Sequence, residues 1–288
     1  YDNGYYLGNE TNPYLVLIKA KSDTITSCEI NEKTKLIYFF AFRNCTSLES
    51  ITIPDSVTSI GNNVFYDCTN LMGVTVLENN KYYSSLDGNL YNKDKTALIQ
   101  YAIGKMDTHF IIPDSVTSIG DGAFLDCTNL KSITIPDSVT SIGDSAFNNC
   151  TNLKYNEYDN GYYLGNETNP YLVLIEAKSK NSITSCEIND KTKIIYHSAF
   201  RNCIRLESIT IPDSVTSIGN YAFHDCSNLT SIVIPDSVTS IDYRAFEGSI
   251  CLKTVYYTGT VEEWTKISIG SYNESLKNAT IVYNYKPE

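Results

Sequence analysis

The chain has 288 residues, 42% of them hydrophobic and 19% charged, a globular balance that excludes wholesale disorder. Lys plus Arg is 22 against 33 Asp plus Glu, for a net charge of -11 that lacks the basic footprint of a nucleic-acid binder. The apolar runs, such as Tyr14–Ile18 and Leu36–Phe42, fall well short of the roughly 18–20 residues a spanning helix needs, so no membrane insertion is expected.

Residues 1–24, which open Y-D-N-G-Y-Y-L-G-N-E-T-N-P-Y-L-V-L-I, read as a short strand, a polar turn and a second strand. They carry no basic head ahead of an apolar core, so no signal peptide is expected in this sequence. From Ile25 a 23-residue period sets in, with coils starting at Ile25 and Leu48 and a partial strand at Leu71. Residues 77–106 break it with a looser hairpin, D-G-N-L-Y-N-K-D-K-T-A-L-I-Q-Y from Asp87 to Tyr101. Coils resume at Asp107 and Leu130. A third insert spans 154–182 and holds, from Tyr158, a near copy of the opening segment. Further coils start at Ile183, Leu206 and Leu229. The organisation expected is a solenoid over 1–257 with inserts at 1–24, 77–106 and 154–182, then a capping segment at 258–288. In that tail Trp264, Ile267, Ile269, Leu276, Ile281 and Val282 read as a cover for the last coil.

The anatomy of one coil is clearest from Leu130 to Asn152, L-K-S-I-T-I-P-D-S-V-T-S-I-G-D-S-A-F-N-N-C-T-N. Ile133 and Ile135 alternate with Ser132 and Thr134, which is strand periodicity. Pro136 cannot donate to a ladder and ends that strand. Val139 and Ile142 suit a second short extended stretch. Phe147 and Cys150, three apart, suit one turn of tight helix facing inward. One coil cannot bury these side chains alone, whereas stacked coils can. The fold class expected is therefore a mainly β repeat solenoid of 23-residue coils with a parallel sheet, short helical turns and inserted β-hairpins.

The nine cysteines include three pairs 23 apart: Cys45 and Cys68, Cys127 and Cys150, Cys203 and Cys226. Adjacent coils put Cα atoms about 4.8 Å apart, with parallel Cβ vectors wider than the ~3.8 Å a disulfide prefers, so free buried thiols are expected. The histidines fall in separate coils, which argues against a Cys–His nucleophile. Asp55, Asp114, Asp137, Asp213 and Asp236 recur at one coil position. They read as caps of their own turns, because the glycine-rich loop of a calcium site is missing. No catalytic residue, metal or cofactor is expected.

Two surfaces could meet a partner. The inserts are rich in tyrosine, a residue type favoured at recognition surfaces, and hairpins added to a solenoid are expected to project from it. This nominates Tyr6, Tyr91 and Tyr163. The outward strand positions form a largely uncharged Ser/Thr face, which nominates Thr134, Thr210 and Tyr256.

The motif L-x-x-I-x-I-P-x-S-V-T-S-I-G-x-x-A-F-x-x-C-x-N carried by 130–152 resembles the BspA-type leucine-rich repeat, and coils of this kind cover about two thirds of the chain. The segment 87–96 is similar to interruptions in such proteins. The tail Y-Y-T-G-T-V-E-E-W-T-K-I from Tyr256 resembles closing segments of relatives from anaerobic gut bacteria. The resemblance implies a curved right-handed coil and a non-enzymatic, extracellular or cell-surface protein that adheres to a protein or glycan ligand. Alternatives are a passive stalk and a targeting domain of a larger secreted protein. Neither the ligand nor the oligomeric state is legible.

Overall fold

The structure, a computed structural model, describes residues 1–287. Contacts divide the chain into two units: Tyr1–Ile133 with Ile142–Lys154, and Thr134–Ser141 with Tyr155–Glu288. Both are mainly β solenoids built from the same coil.

In the first unit the strands Gly4–Leu7, Val16–Ala20, Leu36–Ile37 and Ser59–Ile60 form one sheet in that order, antiparallel in the hairpin and parallel thereafter. Ser50–Ile53 pairs in parallel with Gly73–Val76 on the other strand face. The insert at 77–106 contributes a meander, Tyr83–Leu86, Asn89–Asn92 and Ala97–Gln100, whose last strand pairs in parallel with Ser118–Ile119.

The second unit repeats the scheme. Asn156–Tyr158, Gly161–Leu164, Val173–Ala177, Ile194–Ile195, Ser217–Ile218, Ser240–Ile241 and Ser268–Ile269 make a seven-stranded sheet. Ser208–Thr210, Ser231–Ile234, Thr254–Tyr257 and Thr280–Val282 make a four-stranded parallel sheet. The tail therefore does more than cover the last coil. Both of its strands extend the two sheets by one lengthened turn, with the short helices Val261–Trp264 and Glu274–Lys277 taking up the extra residues.

The hairpins do not project. The last strand of each insert takes the place of a coil strand, so that Leu17, Leu98 and Leu174 stand in register with Ile37, Ile119 and Ile195. Each insert also donates one backbone N–H to the coil ahead: Ala20 to Ala41 O, Tyr101 to Ala123 O, Ala177 to Ala199 O, at 2.7–2.8 Å.

The segment expected to be a helical turn is a different device. Two residues four apart adopt left-handed backbone in each such segment, as at Ser145 and Asn149 (φ 57° and 58°) or Ser198 and Asn202 (φ 59° and 62°). That reversal prevents helix continuation. It also sends alternate N–H groups in opposite directions. In the second unit Ser198, Phe200 and Asn202 donate forward to Asn220, Ala222 and His224 of the next coil. Between them Ala199, Arg201 and Cys203 donate back within their own coil, to Tyr196, Ser198 and Phe200.

This ladder places the phenylalanines one above another. Phe200, Phe223 and Phe246 stack with ring centroids 5.0 and 5.1 Å apart and interplanar angles of 4° and 12°. Phe124 and Phe147 repeat the arrangement at 5.6 Å in the first unit. The cysteines do more than fill space. Cys68 Sγ donates to Phe42 O at 3.0 Å, Cys150 Sγ to Phe124 O at 3.0 Å and Cys226 Sγ to Phe200 O at 3.1 Å. Ser249, standing at the cysteine position of its coil, makes the same bond to Phe223 O at 2.7 Å. All nine cysteines are unpaired, eight of them buried and Cys251 partly exposed.

The aspartate ladder caps nothing by itself. All five aspartates are exposed or half-exposed. Their turns are closed by backbone bonds such as Val57 N–H to Pro54 O and Val215 N–H to Pro212 O. The neighbouring serine reaches back to the previous coil instead, as Ser56 Oγ does to Thr34 O at 2.7 Å and Ser214 Oγ to Thr192 O at 2.6 Å.

Candidate interaction surface

Tyr91 and Tyr163 lie in the core, 1% and 0% exposed, so in this fold neither offers area to a partner. The tyrosine strand alternates regularly, so that Gly161 and Tyr163 face inward opposite Ala177 and Leu174, and Tyr162 faces Glu176. Each hairpin shifts register at the same place, between Tyr5 and Tyr6, Leu90 and Tyr91, Tyr162 and Tyr163. The extra residue is in the partner strand, Ile18, Ile99 or Ile175, and keeps Leu17, Leu98 and Leu174 opposite the tyrosine. Burial pushes the Tyr91 hydroxyl up to about 12. Tyr6 occupies the position of Tyr163 but is half-buried, packed on Tyr14 at 5.6 Å, with its Oη accepting from Asn31 N–H at 3.4 Å.

In the second unit the outward strand positions form a continuous row. Thr210, Val233, Tyr256 and Val282 stand side by side in register, with Thr210 exposed and Tyr256 half-buried against Tyr285 at 4.6 Å. Thr134 is half-buried and bridges to Gly165.

A second surface is one that sequence reasoning missed. It lies along the left-handed turns, on the three positions that flank each stacked phenylalanine. In the second unit His197, Tyr221, Tyr243 and Tyr272 form a file of rings with successive centroids 5.6, 5.7 and 5.4 Å apart. Arg201 lies 5.6 Å from the Tyr221 ring, and Arg244 is sandwiched by Tyr243 and Tyr272 at 4.9 and 4.7 Å. Arg244 is held by Glu247 at 3.3 Å, and His224 sits between Asp225 and Glu247 at 2.9 and 3.2 Å. The first unit has a shorter file, Phe39, Phe40 and Tyr66, with Arg43 over the last two rings at 5.4 and 5.2 Å.

The backbone at this surface is unusual. At the first left-handed position other coils place Gly122 and Asn63, residue types suited to positive φ, or the small Ser145 and Ser198. Phe40, Tyr221 and Arg244 occupy the same position with φ of 56°, 58° and 57°. A bulky residue there costs about 1–2 kcal/mol. The signal was present in the sequence, since superposing the coils shows large residues, such as Phe40, Tyr221 and Arg244, replacing Ser, Asn or Gly in these columns. Without the turn geometry, nothing marks those columns as outward.

Among the described residues no group of three or more His, Cys, Asp or Glu is placed to hold a metal ion, and no helix is long and apolar enough to cross a membrane. The coil, the ladder and the inserts together define a leucine-rich repeat solenoid. The model of the BspA-type leucine-rich repeat region matches residues 20–93, 104–167 and 177–286, in six copies, and the chain belongs to that family.

Among solved structures the chain is similar to a leucine-rich cell surface protein of Faecalibacterium prausnitzii A2-165. The two share 32% identity over 85% of this chain and 60% of that one, with a TM-score of 0.45. A leucine-rich repeat protein of Eubacterium ventriosum is also 32% identical, over 75% of this chain and 62% of that one, with a TM-score of 0.46. The pneumococcal vaccine antigen PcpA is 22% identical over 88% and 60%, with a TM-score of 0.46. The chain thus spans about 60% of the length of these proteins. No curated protein matches it significantly.

Proposed function

We propose that the chain is a non-enzymatic binding module of a bacterial cell-surface or secreted protein, adhering to a protein or glycan partner. The contact is drawn mainly by the aromatic and arginine file along the turns, with the Thr210–Tyr256 sheet face beside it. Membership of the repeat family supports the class. The observation that carries the site is the placing of Phe40, Tyr221 and Arg244 at a left-handed position where other coils place Gly122 or Asn63, which carry less strain there. Unfavourable backbone that the surrounding fold holds in place tends to cluster at functional positions. Tyr and Arg are also the residue types that most often anchor interfaces.

The test is a surface-binding screen of the full chain against host matrix proteins and glycans, and then of the variants Tyr221→Asn and Arg244→Asn. Asparagine is already tolerated at left-handed turn positions such as Asn63 and Asn202. Relief of about 1 kcal/mol of strain is offset by a similar loss of cation–π contact, so stability should hold within about 0.5 kcal/mol. Binding should fall at least tenfold, the equivalent of about 1.4 kcal/mol. Binding that survives both changes but fails with Thr210→Lys would move the site to the sheet face. Binding to nothing in the screen would favour a passive stalk or a targeting module of a larger secreted protein.

A further inference from the structure

The two near-identical hairpins are seated differently. In the second unit the hairpin receives chain on its outer side. Asn156–Tyr158 adds to the edge strand Gly161–Leu164, with Glu157 ion-paired to Lys178 at 2.8 Å. Next to it Thr134 bridges to Gly165 in parallel, Ile135 N–H donates to Gly165 O at 2.9 Å, and Asn166 Nδ2 donates to Ile135 O at 3.0 Å. Lys193 Nζ reaches Asp137 at 3.6 Å. Four kinds of contact thus hold an x-Thr-Ile-Pro-Asp strand: ladder bonds, a side-chain amide, an ion pair and apolar cover, the last leaving Leu164 only 2% exposed.

The first unit carries every receiving group. Leu7, Gly8 and Asn9 correspond to Leu164, Gly165 and Asn166, while Lys21 and Lys35 correspond to Lys178 and Lys193. The hairpin pairing is the same, including the bulge. Yet Leu7 is 64% exposed, and Gly8, Asn9 and Lys35 are exposed with it. An apolar edge strand left open in this way is a template for another strand.

We infer that the Gly4–Asn9 face is a docking surface for one further coil of this repeat type, received through its Thr-Ile-Pro-Asp strand and joined in cis to Tyr1. The specificity lies in the set. The amide of Asn9 takes the isoleucine carbonyl, Lys35 takes the aspartate, and Leu7 closes over the coil's apolar side.

Residues 107–157 joined ahead of Tyr1 would recreate the Glu157–Tyr158 connection, because Tyr1 corresponds to Tyr158. In this fusion Leu7→Cys should react with a thiol reagent at least about tenfold more slowly than in the unextended chain, matching Leu164→Cys, since reactivity follows exposure. Adding Lys35→Glu to the fusion should restore part of the labelling. Leu7→Cys that labels equally fast with and without the extension would overturn the inference. So would protection of Leu7→Cys in the unextended chain together with a dimeric sedimentation coefficient, which would give the face to a second copy.

Discussion

The side-chain oxygen of Asn273 accepts the backbone N–H of Phe246 at 2.9 Å, the place that a carbonyl of the next coil takes for Phe200 and Phe223. The amide is fully buried, and its Nδ2 holds Asp242 O and Gly270 O at 2.8 and 2.9 Å. One side chain therefore ends the turn ladder by imitating the backbone it replaces. Asn273→Ala strands the buried N–H of Phe246, worth about 1–3 kcal/mol when left unpaired, and takes a donor from the part-buried Gly270 O and from Asp242 O, which keeps the N–H of Ala245. A loss of at least about 2 kcal/mol in chemical denaturation is expected. A change below about 0.5 kcal/mol would show that the last turn is closed by other means.

The thiol bonds give a second expectation. Ser249 shows that a hydroxyl serves at the cysteine position. Cys150→Ser should keep the donor to Phe124 O and cost no more than about 1.5 kcal/mol, whereas Cys150→Val fills more volume but leaves that carbonyl only the backbone N–H of Cys127, and should cost about 0.5–1.5 kcal/mol more than serine. The reverse order would mean that the site is valued for its volume alone.

Phe223 is stacked on both sides, so its removal leaves a cavity between two rings that the ladder holds apart. Phe223→Ala should cost about 3–5 kcal/mol. The exposed Thr210→Ala should cost less than about 0.5 kcal/mol. Equal midpoints for the two variants would sink the assignment of inside and outside.

Burial sets a pH dependence. Desolvation pushes the thiols of Cys28, Cys150, Cys186 and Cys203 up to about 12 and that of Cys45 up to about 11, from an ordinary value of 9.0. The folded state binds the proton more tightly than the unfolded chain. The stabilisation is full below about pH 9 and is lost as pH rises through about 11 to 12, and in that window each thiol removes about 1.4 kcal/mol per pH unit. The melting temperature should be level from about pH 6 to 8 and fall steeply above about 9. In the native protein at about pH 8 a thiol reagent should label Cys251 first, and all nine cysteines after unfolding without reductant. A melting temperature unchanged to about pH 10.5, or fewer than nine labels in even steps, would contradict this.

Much of the solenoid is legible in the residues because its causes are local and repeated. Ile133 and Ile135 alternate, Pro136 stops the strand, and Phe147 with Cys150 must face inward if identical coils stack. The bulge opposite Tyr162–Tyr163 is not legible, since its extra residue, Ile175, lies in an unbroken apolar run, Leu172–Ile175, that marks neither face. The left-handed turns are hidden for a related reason. Gly122 and Asn63 suit positive φ at the first turn position, but Ser198, Tyr221 and Arg244 disguise it. The tail departs from the 23-residue spacing and so reads as a lid, although Ile269 and Ile281 continue the registers of Ile241 and Val255.

The turn bonds run one way, from the N–H groups at Phe42, Phe124, Phe200 and Phe223 to carbonyls of the next coil. A stack wired like this has a head and a tail. A coil with nothing ahead of it lacks partners for its donors, whereas a coil with nothing behind it leaves only spare carbonyls, the milder defect. During synthesis, which delivers the N-terminal side first, the unfinished end is always the donor end. Its missing acceptors lie in the next stretch to emerge. Each new coil completes its predecessor, until Asn273 arrives and supplies, from a side chain, the acceptor that no further coil is needed to provide.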